Sequence, residues 1–359
     1  MANTRHEWWH DLAALSPIIA TFALPPDEPY WDNAKGQAIN TAAFNISGCA
    51  HHNRSITRWI DVLANEGVSL SQIEKLLVDL TSRNTYGSFS ELAAYGLLID
   101  SNIPFEIQVS MKGTAILNPN GSDLDGAFMI GDPVFFDVKA FGLHEYLAEQ
   151  LKLRLSNAFP SEFVEISGSS DVGVADMTEL LGTGFSLLIS ELTSNQKARR
   201  GKLEVQLKKK RRVQFVINTA NPYELAETNA DYAFKFAKQF VRRKPFVLIF
   251  VTHPWLGGLR LSQNFAGDAD NFMRSFARRT FMQFRSDRKK VLGVTRAAAS
   301  RLLSGIMFVD ASQLPSSTPP CHALYLNPFA KHPLSKLTRH RLATDISDIR
   351  FDDFQHDAY

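Results

Sequence analysis

The stretch GDPVFFDVKAFG, residues 131–142, constrains this chain more than any other. Val134, Phe135, Phe136 and Val138 read as a short buried strand, yet Asp137 and Lys139 sit inside it. Residues two apart on a strand face the same way. Acid and base therefore project together from one face, and Phe136 and Val138 from the other. Burying an ion without compensation costs on the order of several kcal/mol, so the strand must belong to a sheet that brings partners to this pair. Asp125 lies upstream in LDGAFMIGD, a second strand, and Gly131–Pro133 is a tight turn between the two. The hairpin so formed carries Asp125 towards Asp137, and two carboxylates and a lysine converge.

Oxygen ligands on a rigid sheet suit a hard divalent cation. Mg²⁺ takes one or two carboxylates and fills its remaining positions with water and phosphate oxygens. Such an ion activates water and stabilises charge on a phosphate, and a neighbouring lysine orients the water or neutralises developing charge. The chemistry expected of the trio is metal-assisted phosphodiester hydrolysis.

The elements around the hairpin follow a definite order. YGSFSELAAYGLLIDSN reads as a short helix, with Ser88 and Glu91 spaced as a capping box. Glu91, Tyr95 and Leu98 share one helical face. PFEIQVSMKG, LDGAFMIGD and PVFFDVKAF follow as three strands, then HEYLAEQLKLRLSNAF as a helix and SEFVEISGS as a strand. The expected fold class is α/β: a meander with a helical crossover, forming a mixed sheet flanked by helices. In this order, Asp125-Gly-Ala-Phe followed by Phe-Phe-Asp137-Val-Lys139 resembles the signature of the PD-(D/E)xK nuclease superfamily, the restriction-endonuclease-like fold. The resemblance covers residues 85–170, extending to 255 if later strands join the sheet. It implies that Asp125 and Asp137 bind Mg²⁺, with Mn²⁺ as a substitute, that Lys139 positions or activates water, and that Glu91 is a further ligand. The family's proline before the first Asp is Leu124 here, and Asp123 is an alternative to Asp125 as ligand.

Three regions are expected: a helical segment over 1–84, a nuclease core over 85–255, and an α/β region over 256–359 that either stands apart or extends the core. HHNRSITRWIDVLANEGVSLSQIEKLLVDLTSR holds two amphipathic helices separated near Gly67, and the charged C-terminal tail is expected to fray. Net charge is only +2, so any polyanion contact rests on local clusters. One comprises Lys197, Arg199, Arg200, Lys202, Lys208, Lys209, Lys210, Arg211 and Arg212, read as a basic hairpin arm. A second is a helix over 268–290, with Met273, Phe276, Thr280 and Phe284 on one face and Arg274, Arg278 and Arg285 on the other. Both suit phosphate-backbone contact rather than base readout.

Two distant cysteines, Cys49 and Cys321, exclude a disulfide framework, and HEYLAE lacks the second histidine of a zinc-protease helix. Cys49, His51 and His52 cluster without a partner set of metal spacing. The absence of a phosphate-cradling GxxxxGK[ST] loop argues against an ATPase or helicase. No apolar run of membrane-spanning length is present, and the expectation is a cytoplasmic protein. The function expected of these residues is therefore that of a DNA endonuclease, for which the resemblance implies restriction or phage defence and a homodimer that cuts both strands. Competing readings are a non-catalytic nucleic-acid binder on the same fold, or a nuclease acting on RNA or on single-stranded or branched DNA.

Overall fold

The computed structural model describes residues 4–27, 46–82, 85–141, 143–167, 174–201, 203–209, 221–252, 265–311 and 322–357. The chain divides into two compact units that are interleaved in sequence. Ser90–Phe141, Ala220–Pro254 and Ser262–Tyr359 form one, which carries the acidic hairpin; Met1–Phe89 and Gly142–Thr219 supply most of the other.

The unit with the hairpin is built on a seven-stranded mixed sheet. Strands β1 (Phe105–Met111), β2 (Ser122–Phe128) and β3 (Val134–Ala140) form the expected antiparallel meander. The strand that pairs parallel to β3 is not SEFVEISGS but Phe246–Val251. Its side chains are all buried, as are those of Gly305–Val309, which pairs parallel to it, and of Ala323–Leu326, which follows antiparallel. Arg350–Asp352 closes the sheet as a short parallel edge. The physical reason is legible in composition: FVLIFV is apolar at every position, as a strand covered on both faces must be, whereas FVEIS alternates and suits a sheet with one face in water. Three strands of 256–359 thus extend the same sheet, while Lys290–Val291 and Val294–Thr295 pair only with each other. The C-terminal tail, expected to fray, forms an edge strand. It is anchored by Phe354, which stacks on Tyr325 and meets Phe281 edge-on.

One face of the sheet is closed by a helix over Phe265–Arg278 whose Phe272 and Phe276 pack with Phe141, Phe250 and Phe308. This helix continues into a π turn over Arg279–Gln283 and stops short of the 290 expected. ELAETNADYAFKFAKQFVRR is likewise two pieces, Pro222–Thr228 and a 3₁₀ segment Tyr232–Gln239, instead of one helix.

In the other unit, β4 (Glu162–Ser167) pairs with β6 (Leu203–Lys209), which pairs with β5 (Lys197–Arg200). The β5–β6 turn passes through Gly201 at φ +58°, so the basic segment is the expected hairpin. After a first helix over Arg5–Ala13, the two expected amphipathic helices are α1 (Ala50–Asn65) and α2 (Leu70–Leu80), separated by Gly67 at φ +91°. Among the described residues no helix is long and apolar enough to cross a membrane.

Candidate active site

The register of β2 and β3 puts Gly126 opposite Phe136 and ends there, so the next facing pair is Asp125 and Asp137. A Cβ on Gly126 would lie 2.3 Å from the Glu106 carbonyl oxygen and 2.4 Å from Phe136 Cζ. Glycine at this position lets the phenyl ring lie across the strand on the face opposite the carboxylates.

At Asp125 the ladder opens on both sides. Towards β3, the Val138 N–H donates to Asp125 Oδ2 at 2.5 Å, so a side chain takes an amide next to the last strand pair. Towards β1, residues on either side of Gln108 pair in register, but Gln108 itself turns out at φ +51°, a left-handed conformation that costs a non-glycine residue about 1–3 kcal/mol. The Asp125 carbonyl accepts from the Tyr95 hydroxyl at 2.8 Å. Backbone groups buried in a sheet need partners; here a phenol and a carboxylate supply them where the ladder does not.

Lys139 Nζ lies 2.7 Å from Asp137 Oδ2 and 3.9 Å from Asp125 Oδ2. Asp137 is 1% exposed. Its buried Oδ2 has the Lys139 ammonium as its close partner. Burial first, and then the facing Asp125 carboxylate, push the Asp137 carboxyl well above the usual range against the pull of Lys139. Burial opposes the Lys139 ammonium, but attraction to Asp137 and Asp125 outweighs it and raises the lysine, which stays charged. The ammonium also sits 5.7 Å from the Phe236 ring centroid.

Glu91 and Tyr95 lie one turn apart on α3 (Thr85–Asp100). The Glu91 charge acts on both Tyr95 and Lys139, so it belongs to the same electrostatic cluster. Because α3 begins at Thr85, Ser88 lies inside the helix and is buried, and the capping-box reading of Ser88 and Glu91 is corrected. Asp123, the alternative ligand, is exposed, while Asp125 is half-buried beside Asp137 and Lys139. In the sequence Tyr95 does no more than mark a helical face. Its i+4 spacing from Glu91 is the one signal of its role at the Asp125 carbonyl.

Two carboxylates and one ammonium thus meet at one site, and the Glu91 charge acts on it as well. That donor set fits a small divalent cation. Among the described residues no group of three or more His, Cys, Asp or Glu side chains is gathered closely enough to enclose a metal by itself; Mg²⁺ needs only one or two carboxylates and takes water and phosphate oxygens besides.

The basic residues lie on other elements. In the hairpin, Lys197 pairs with Glu204 at 2.9 Å, Arg200 with Glu191 at 2.6 Å and Lys208 with Glu165 at 2.5 Å. Arg199 Nε donates to the Gly201 carbonyl, and Lys209 is exposed at the strand end. Lys202, Lys210, Arg211 and Arg212 lie outside the described residues. On the helix, Arg274 bonds Asp352 and Asp357 at 2.7 and 2.6 Å and Arg278 bonds Asp357 at 2.5 Å; Arg285, expected on the same helix, lies past its π turn, 4.6 Å from the Phe329 centroid. A phosphate approaching Arg274 or Arg278 would compete with carboxylates already in place.

No protein-family model, no curated protein and no solved structure matches this chain.

Proposed function

We propose that this protein is a divalent-metal-dependent nuclease of the PD-(D/E)xK type, on a restriction-endonuclease-like core, with DNA as its substrate. The observation that carries the reading is the facing pair Asp125 and Asp137, with Lys139 2.7 Å from the buried carboxylate, where the strand ladder opens. A protein that only bound nucleic acid would gain nothing from buried acids near a polyanion.

Asp125 and Asp137 are the residues that would hold Mg²⁺, with Glu91 in reach of the same field. A bound Mg²⁺ would supply charge stabilisation at the scissile phosphate and a more acidic water. Lys139 stays protonated between the two carboxylates, so its part is to hold a water or a phosphate oxygen by donating hydrogen bonds and to offset developing negative charge. It does not act as a base in this state. Tyr95 positions Asp125 by holding its carbonyl.

The test is nicking of supercoiled plasmid, and cleavage of single-stranded DNA and RNA, in Mg²⁺, Mn²⁺ or EDTA. The expected result is cutting that needs metal and is lost in Asp137→Asn and Lys139→Ala, both checked for folding by circular dichroism. Equal cutting by the variants, or no cutting of any of these substrates by wild type in either metal, would overturn the proposal.

A further inference from the structure

In the same unit as the acidic hairpin, but built from other segments, three cations surround an apolar cavity of about 330 Å³. The cations are Arg242, Arg301 and Lys331; Leu117, Val294 and Leu302 supply most of the wall. Among the described residues none of the three cations has a carboxylate in ion-pair contact, whereas Arg274, Arg278 and Arg296 all do. Three like charges carried around one apolar cavity favour an anion that joins them.

The cations are placed by the backbone. Arg242 Nε donates to the Ile116 carbonyl at 2.7 Å, and its own N–H donates to the Ala115 carbonyl at 2.7 Å. His332 Nε2 lies 2.9 Å from the Arg242 carbonyl. The Lys331 N–H donates to the Arg301 carbonyl at 2.7 Å, and the Leu117 N–H to that of Phe240 at 3.0 Å. Four chain segments distant in sequence are thus tied together around the opening, so the backbone there and the Arg242 guanidinium are set before any ligand arrives, which lowers the cost of binding.

From this we infer a binding site for a 5′-phosphorylated nucleoside unit. A phosphomonoester carries close to two negative charges at neutral pH, and three cations match it better than they match a monoanionic carboxylate. Arginine forks suit phosphate oxygens. The apolar wall offers a flat base a dry surface. The volume is at the low end of small-molecule sites, about 300–1,000 Å³, and admits one nucleotide. The unit has two sources: a free mononucleotide, or the 5′ end of a nucleic-acid strand. The inference does not rest on the nuclease reading, because the site shares no residue with the acidic hairpin.

Isothermal titration of the full chain in EDTA separates the outcomes. The probes are dAMP, dGMP, dCMP and dTMP, the matching deoxynucleosides, inorganic phosphate, decanoate, and one oligonucleotide with and without a 5′ phosphate. Saturable binding of a mononucleotide is expected, with nucleoside and inorganic phosphate each at least about tenfold weaker. Arg301→Gln, at an exposed position, should weaken it about tenfold, and Ala298→Phe, which fills the cavity from an exposed site on its rim, should abolish it. Asp137→Asn should leave it unchanged. A phosphorylated oligonucleotide that binds while free nucleotides do not would assign the site to strand ends. Absence of saturable binding by any phosphorylated probe, insensitivity to both pocket variants, or tighter binding of decanoate than of nucleotides would overturn the inference.

Discussion

Asp137 and Lys139 are held in a balance that single substitutions expose. Lys139 is the one cation in contact with Asp137 and Asp125 among the described residues. Lys139→Met removes it and leaves two facing carboxylates, one fully buried. A loss of roughly 3–5 kcal/mol is expected, read as a lower urea midpoint in EDTA and partly restored by Mg²⁺. Tyr95→Phe deletes one hydroxyl and strands the Asp125 carbonyl. It should cost about 1–2 kcal/mol of stability and lower the rate of cleavage while metal affinity falls little, measured as a drop in kcat with a near-constant Mg²⁺ midpoint. Residue-scale chemistry in the other unit is of a different kind. His52 packs edge-on against Phe89, and burial, followed by the neighbouring His51, lowers its pKa from 6.5 to about 4. A histidine lowered in the folded state is neutral there while the unfolded chain takes up a proton. Its contribution is therefore complete above the unfolded value near 6.5 and is lost as pH falls towards about 4. That amounts to roughly 3 kcal/mol across the window. Urea unfolding at pH 7 and pH 4.5, followed by tryptophan fluorescence, should show a smaller drop in His52→Gln than in wild type.

At the scale of elements, the same residue types take different roles according to what packs beside them. The helix over Phe265–Arg278 has the two faces its periodicity predicts: Phe272, Met273 and Phe276 buried, Arg274 and Arg278 on the other side. The outward face is nonetheless covered in part, because Asp352 and Asp357 of the C-terminal segment close on Arg274 and Arg278. Asp357→Asn should loosen the edge strand and cost about 1–2 kcal/mol. Hydrogen exchange should accelerate first in Arg350–Asp352. An unchanged exchange rate there would mean that the aromatic contacts of Phe354 alone hold the strand.

At the scale of the whole molecule, the two units carry separate properties: the acidic hairpin and the cationic cavity lie in one, and the basic hairpin in the other. Addition of Mg²⁺ should therefore slow amide exchange in β2 and β3 and leave β4, β5 and β6 as they were. Protection spread equally over both units would mean that the metal acts somewhere other than at Asp125 and Asp137.

The meander, the helix before it and the convergence of Asp125, Asp137 and Lys139 were legible in the chain because they depend on local rules: alternation along a strand, a turn of a few residues and helical spacing. So were the basic hairpin and the two N-terminal helices. What only the tertiary structure decided were the long-range partners. Nothing near β3 in sequence says that Phe246–Val251 lies beside it, since parallel pairing leaves no turn to read, although the unbroken apolar run is its trace. Continuity with Gly126, Ala127 and Phe128 favours Asp125 over Asp123 in the chain itself, and the structure adds depth, which alternation alone does not report because both point the same way. The hydroxyl of Tyr95 at the Asp125 carbonyl, the carboxylates set against Arg274 and Arg278, and the three cations around one cavity each join residues far apart in the chain. Such contacts exist only once the sheet has closed, because the energy that selects them is that of burying charge and apolar surface together.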